Sequence, residues 1–324
     1  MFVMALKNGE RKMNQFVPKL FDCMKSYTKE QFVKDVVSGI IVAIIALPLS
    51  IALALASGVG PEQGIYTAIF AGFVISFLGG SNVQIAGPTA AFATIVAGIV
   101  AKNGMSGLAA ATIMAGILLI IMGFLKLGNL IRFIPYTITT GFTFGIAVTI
   151  LVGQIKDFLG LTFTNSPIDT VDKVKECINC IGTFNYQALI VGVVALAILI
   201  IFPKITEKIP PSLIAVIVTI VMVKMLKMDV KTIGDLYTIS NKLPSVSLPS
   251  INFTMIRELF PDALTIAVLA GIESLLSCVV ADGMVGSRHK PNMELVAQGA
   301  GNVVSALFGG IPATGAIART AANI

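Results

Sequence analysis

The sequence predicts an all-α polytopic membrane protein in which two helices are discontinuous, and three observations carry that prediction. The 324 residues are 56% apolar and only 12% charged, about half the roughly 25% charge usual in soluble domains. Apolar runs of membrane-spanning length recur along the chain, a helix needing about 20 apolar residues to cross a ~30 Å hydrocarbon core. Two shorter segments open after Gly-Gly pairs and contain proline. With 19 Phe, 30 Gly and no Trp, the composition excludes a disordered chain and an ordinary soluble enzyme. Four Cys are too few for a disulfide-built secreted domain. The net charge of +6 does not point to nucleic acid, because the basic residues stand in a tail and in loops between apolar runs, as at a cytoplasmic membrane face.

In chain order, the long runs are Val36–Ala56, Leu108–Leu125, Ile138–Ile155, Ala188–Phe202, Leu213–Met225, Ala263–Val280 and Leu295–Phe308. Ile65–Leu78 and Thr89–Val100 are shorter and lie between Gly-rich breaks. Residues 1–34 carry Lys7, Arg11, Lys12, Lys19, Lys25, Lys29 and Lys34 without a small-residue cleavage site, so they are no signal peptide. They read as a cytoplasmic amphipathic tail ahead of a transmembrane domain over 35–324. With the N-terminus inside, Lys126, Arg132, Lys204, Lys208, Arg288 and Lys290 all fall inside. The loop Lys156–Glu176 falls outside, where Asp157, Asp169, Asp172 and Glu176 outweigh Lys156, Lys173 and Lys175. The loop with Lys224, Lys227, Lys231 and Lys242 departs from this pattern, which weighs long loops less.

The first break reads Gly79-Gly80-Ser81-Asn82-Val83-Gln84-Ile85-Ala86-Gly87-Pro88-Thr89-Ala90-Ala91-Phe92. Val83–Ile85 reads as a short extended stretch, and Gly87-Pro88 as a helix start, since proline there gives up no needed N–H. The second runs from Gly309-Gly310-Ile311-Pro312 through Thr314 to Arg319. Thr314 is a candidate N-cap, and the small residues after it let a ligand approach the backbone. A helix that begins inside the membrane leaves its first N–H groups unpaired and turns the positive end of its dipole into the gap. Two such ends facing each other form an anion site. Either break alone is more simply a kink in a packed helix; recurrence after Gly-Gly favours a site.

Glu273 is the one acid well inside an apolar run, Leu264–Val280, and is a functional candidate by default. Ser277 lies one turn later on the same face, placed to share a proton or cation with it. The plainer alternative is a neutral Glu273 hydrogen-bonded to a neighbouring helix. Asp282 reads as an interfacial partner of Arg288 and Lys290. Cys177-x-x-Cys180 is a single pair with no nearby His, so metal binding is not expected. His289 is the only histidine, which excludes His-based hydrolysis and HExxH zinc chemistry. Gly141-Phe142-Thr143-Phe144-Gly145 reads as helix packing. No cofactor or metal is implied.

Several stretches in the same order resemble the SulP (sulfate permease) anion transporters. They are Ala46-Leu47-Pro48-Leu49 with Ser57-Gly58-Val59-Gly60-Pro61, Gln84 through Phe92, Gln154 through Leu161, Gly271-Ile272-Glu273-Ser274-Leu275-Leu276, Ser287 through Gly299, and Ala316 through Asn323. The resemblance covers the chain from Asp35 onward. The bacterial branch containing a C4-dicarboxylate transporter looks most similar, with the cyanobacterial bicarbonate transporters as a second relative. It implies an inverted-repeat fold of seven plus seven helices, the first repeat over about 35–226 and the second starting over about 259–324. A cytoplasmic STAS domain usually follows, and a homodimer is implied at full length. Substrate would bind between half-helices that begin near Thr89 and Ala316, which puts Thr89, Ala90, Ala91, Phe92, Gly315, Ala316, Ile317 and Arg319 on a small anion.

The resemblance also places the family's coupling acid on Glu273, its neighbouring hydroxyl on Ser277 and its arginine on Arg319. In the sodium-coupled bicarbonate relatives the acid is an aspartate helped by hydroxyl ligands. Here the tenth-helix hydroxyl position falls on Ile317, and a hard cation wants oxygen ligands, so protons are favoured over sodium. The chain ends about ten residues into the second half-helix, or ~15 Å, which leads us to expect a fragment of a longer protein that does not transport alone. The expected function is secondary active transport of a sulfate, C4-dicarboxylate or bicarbonate-type anion across the inner (plasma) membrane by proton symport. An anion exchanger, an uncoupled channel or a non-transporting sensor remains open. A nucleobase–proton symporter wants a second acid on the tenth helix, and Ala313–Ile324 has none. A membrane enzyme wants a nucleophile–base pair, which is missing.

Overall fold

Thr28 opens the first long helix by accepting the Gln31 N–H on its hydroxyl at 3.2 Å. In the computed structural model, which describes residues 14–133, 136–165, 167–206, 210–239, 243–249 and 252–324, that helix, α1, runs Lys29–Ala56. It takes in the end of the expected tail, because a side-chain cap, not the rise in hydropathy, sets where a helix begins. Helix α2 spans Pro61–Leu78 with proline in its first turn, followed by strand β1, Ala86–Pro88, and a tight turn over Ala90–Phe92. Helix α3 spans Ala93–Phe124 but breaks at Gly104, whose φ of 65° and ψ of −171° are not helical. The break lies between the runs Thr89–Val100 and Leu108–Leu125, so a half-helix precedes a full crossing. Helices α4 (Tyr136–Phe158), α5 (Thr170–Asn179), α6 (Tyr186–Ile201) and α7 (Pro211–Met225) follow. The chain then forms α8 (Phe253–Val285), α9 (Pro291–Leu307), strand β2 (Ala313–Gly315) and α10 (Ile317–Asn323).

Among the described residues, four helical stretches are long and apolar enough to cross a membrane, Lys29–Ala56, Ala90–Phe124, Tyr186–Lys204 and Phe253–Val285, and α7 is apolar but shorter. Helix α8 begins ahead of the apolar run at Ala263 because Asn252 caps it, accepting the Met255 N–H at 2.7 Å. Lys7, Arg11, Lys12, Lys208 and Lys242 lie outside the described residues, as does the side chain of Arg132.

The chain forms two compact units, one of residues 1–136 with 241–324 and one of residues 137–240. The first unit draws helices from both sides of the expected repeat boundary. In the second unit, Asn185 caps α6 by accepting the Gln187 N–H at 2.9 Å. Glu176, on the amphipathic α5, accepts the N–H groups of Asn165 at 2.9 Å and Thr164 at 3.1 Å. The Asn165 backbone bond holds that carboxyl below its ordinary value. Cys177 and Cys180 are free thiols, and no metal-binding cluster of His, Cys, Asp and Glu occurs among the described residues.

In the first unit, Phe92, Val96, Leu108, Leu119, Ile266, Leu295 and Ile311 belong to one buried apolar cluster. Gly116 on α3 and Gly299 on α9 face each other so closely that a Cβ on Gly299 would stand 2.6 Å from Ile120 Cγ1, the small-residue contact that lets membrane helices approach. The described part of the N-terminal tail is tied to the first unit. Its Lys19 N–H donates to the Gly79 carbonyl at 2.9 Å, and its Asp22 pairs with Lys290 at 2.6 Å. Lys290 is therefore not the partner of Asp282. That carboxylate instead accepts the His289 backbone N–H at 3.0 Å, lies 2.7 Å from His289 Nδ1 and accepts the Ser287 hydroxyl at 3.0 Å, since the turn after α8 folds back over the helix end.

Candidate functional site

The two sequence breaks meet. β1 and β2 pair antiparallel, with Ala86 opposite Gly315, Gly87 opposite Thr314 and Pro88 opposite Ala313. The Ala316 N–H extends the pairing to the Ile85 carbonyl at 2.9 Å. The two segments therefore cross as extended backbone and turn helical just beyond the pair. The extended stretch falls on 86–88 rather than on Val83–Ile85, and Pro88 is its last residue rather than the first of a helix. Proline is tolerated at the end of so short a strand because the ladder needs no further N–H there. Thr314 is not an N-cap. It lies inside β2 and donates to the Ala270 carbonyl at 2.8 Å, while Ala316 occupies the cap position of α10.

Thr89, buried and extended, follows β1 directly and donates its hydroxyl to Glu273 Oε2 at 3.1 Å. That bond joins the first crossing to the intramembrane acid of α8, which is half-buried. Ala90 and Ala91 form the turn after Thr89, while the Phe92 ring is packed in the core, leaving only its backbone near the gap. Gly315 is buried, and a Cβ there would overlap the Gln84 amide. Ala316 is buried, whereas the Ile317 side chain is exposed.

Arg319 is 2% exposed. Its Nη2 donates to the Pro88 carbonyl, one residue before Thr89, while Nε and Nη1 have no partner among the described residues. A guanidinium has five fixed donors and stays charged. Buried with two nitrogens unpaired, it leaves donor capacity beside the half-helix start, where the first N–H groups also lack intrahelical partners. Glu273 and Arg319 are electrostatic neighbours. A small anion with several oxygens matches this donor set.

Ser277 is brought close but not to Glu273: its hydroxyl donates to Thr320 Oγ1 at 3.3 Å. Spacing of four put both on one face, but a helix residue at position 320 captured the hydroxyl.

Sequence reasoning missed a fully buried acid in the first unit. Glu294 on α9 has no exposed surface, and its carboxylate accepts the Gly80 N–H at 2.9 Å, Gln84 Nε2 at 3.0 Å, the Ser274 hydroxyl at 3.1 Å and Gln298 Nε2 at 2.9 Å. The signal was present. Glu294, Gln298, Asn302 and Ser305 recur at helical spacing through an otherwise apolar run, and all four are fully buried.

A sequence profile of the sulfate permease family matches residues 32–324. YvdB of Bacillus subtilis (strain 168), named as a candidate sulfate transporter, is 45% identical over 302 residues, 93% of this chain and 57% of the relative. The bicarbonate transporter BicA of Picosynechococcus sp. (strain ATCC 27264 / PCC 7002 / PR-6) is 33% identical over 301 residues, 90% of this chain and 53% of the relative. The solved transmembrane domain of a cyanobacterium bicarbonate transporter BicA superposes with a TM-score of 0.81 at 30% identity, over 92% of this chain and 78% of that one. The chain spans about half the length of the curated relatives it matches.

Proposed function

The chain belongs to the sulfate permease family, multi-pass membrane anion transporters rather than enzymes, and on that premise we propose that it forms the anion-binding part of a proton-coupled carrier for sulfate or a bicarbonate-type anion. The carrying observation is the buried Arg319 guanidinium with Nε and Nη1 unpartnered, beside the start of the first half-helix. In this reading, Thr89, Ala90, Ala91 and Phe92 supply the backbone of one wall, Gly315, Ala316 and Ile317 the other, and Arg319 the fixed positive charge. Sulfate and bicarbonate stand first because both appear in the names of relatives; a C4-dicarboxylate rests on sequence resemblance alone.

Glu273 takes the proton, with Thr89 holding its carboxyl toward the crossing. Protonation removes a negative charge beside the bound anion, so proton and anion binding favour each other. Protons suit this site better than sodium, because a hard cation wants several oxygens. Here the Ser277 hydroxyl is spent on Thr320 and position 317 is isoleucine. Alternating access is taken as rocking of the half-helix-bearing unit against a gate in a full-length homodimer of the inner membrane, with the N-terminus cytoplasmic.

The test is uptake by the full-length carrier in proteoliposomes with Glu273→Gln. Uptake that persists by exchange but no longer follows an imposed proton gradient supports the reading. An unchanged response to the gradient removes Glu273 from the coupling role.

A further inference from the structure

We propose that Glu294 is the positioning residue of this anion site, the anchor through which α9 holds the first crossing and the coupling helix in register; the proposal rests on the site described above. Glu294 touches neither Thr89 nor Arg319 among the bonds described. It works through three segments at once. Its Oε2 accepts the Gly80 N–H, fixing the loop where the chain leaves α2. Its Oε1 accepts Gln84 Nε2, just before β1. The same Oε1 accepts the hydroxyl of Ser274, the residue after Glu273.

Gln84 doubles the tie, donating also to Ser274 Oγ at 2.7 Å and accepting from Cys278 Sγ at 3.0 Å. It lies so close to Gly315 that β2 tolerates no side chain there. One carboxylate thus sets the register of β1 and, through Ser274, the rotation of α8 that points Glu273 at Thr89. Further along α9, Asn302 does the same for the second crossing. It donates to the Ala313 carbonyl at 2.8 Å and accepts the Ala313 N–H at 2.9 Å.

The chemistry of the four partners defines what the position needs. All four are neutral groups that donate here, and a carboxylate meets them with two acceptor oxygens and no N–H of its own. A glutamine keeps the shape but puts an NH2 against donors. Exchanging the two side chains, with Gln84→Glu added to Glu294→Gln, returns a carboxylate to the same cluster, where Ser274, Cys278 and the new amide at 294 can donate to it.

The experiment uses the full-length carrier with Glu294→Gln, the exchanged pair and Glu273→Gln as reference. Two readouts are taken, hydrogen–deuterium exchange of detergent-purified protein and sulfate uptake in proteoliposomes. For Glu294→Gln, we expect faster amide exchange in peptides covering residues 80–92 with α1 unchanged. We also expect a KM for sulfate raised about tenfold or more, as for a buried hydrogen-bond group left unsatisfied, with the response to the proton gradient retained. The exchanged pair should recover to within about threefold of wild type, since one carboxylate again serves the cluster.

Wild-type exchange and KM in Glu294→Gln overturn the proposal. So does loss of the gradient response at unchanged KM, which makes Glu294 a proton site. Failure of both variants to fold overturns it too, making the carboxylate a general stability element. If wild type itself moves neither sulfate nor bicarbonate while the local exchange change is present, the carrier reading fails and the positioning role stands.

Discussion

Replacing Gly87 by alanine tests the proposed anion site without altering any charge. Gly87 sits in the middle of β1 opposite Thr314, and its backbone φ does not require glycine. A Cβ there would overlap Arg319 Nη1 and stand 3.1 Å from Cζ. The guanidinium must therefore retreat by about 1 Å, enough to break its directed bond to the Pro88 carbonyl and to withdraw the free Nη1 from the gap. Hydrogen bonds to charged groups contribute about 1.5–3 kcal/mol, so anion affinity should fall roughly ten- to hundredfold. Gly98→Ala is the control, because a Cβ at Gly98 meets nothing within 4 Å. Binding of labelled sulfate to the purified full-length carrier, with thermal unfolding in parallel, reads both variants. Gly87→Ala that folds and binds as wild type does, or equal losses in both variants, would refute the assignment of Arg319 to the anion.

Three further outcomes follow from the same structure. Gly299→Ala forces a methyl against Ile120 and should destabilise the fold by about 1–3 kcal/mol, as overpacking does; an unchanged unfolding midpoint in detergent would show that α3 and α9 do not pack this way. The hydrogen bond from Lys290 holds the Asp22 carboxyl below its ordinary 3.8, so the tie contributes fully above that value and is lost as pH falls below it. Being partly exposed it contributes under about 1 kcal/mol, and hydrogen–deuterium exchange of residues 19–25, corrected for its intrinsic pH dependence, should quicken only below that value. Ser277→Ala removes a bond to Thr320 rather than to Glu273, and proton-driven uptake should keep its pH dependence; a displaced pH profile would return Ser277 to the coupling site.

Much of this architecture was legible because membrane crossing imposes a length and a polarity that composition cannot hide. Every long run from Val36 to Phe308 falls on a helix to within one residue at its end, and the breaks after Gly79-Gly80 and Gly309-Gly310 do form the paired crossings. The errors are local. Strand β1 lies three positions later than Val83–Ile85, and Thr314 serves a strand rather than a cap, because neither residue's neighbours reveal that the two breaks pair with each other. That pairing joins positions more than 200 residues apart in sequence, beyond what periodicity reports. Glu294 does not stand out in the sequence because it lies at the edge of its apolar run, where an acid is ordinarily solvated. Its burial depends on Gly80, Gln84 and Ser274 arriving from three other segments. Sequence proximity favours Arg288 and Lys290 as partners of Asp282, whereas the tight turn brings His289 and Ser287 to it.

The most direct measurement is uptake of labelled sulfate, bicarbonate and succinate by the full-length carrier in proteoliposomes, under a proton gradient and then a sodium gradient, for wild type and Arg319→Ala. Proton-driven uptake of sulfate or bicarbonate by wild type, abolished in a folded Arg319→Ala, is the predicted result. Uptake that survives Arg319→Ala, uptake driven by sodium alone, or no uptake of any of the three by wild type would contradict a proton-coupled anion carrier built around the β1–β2 crossing.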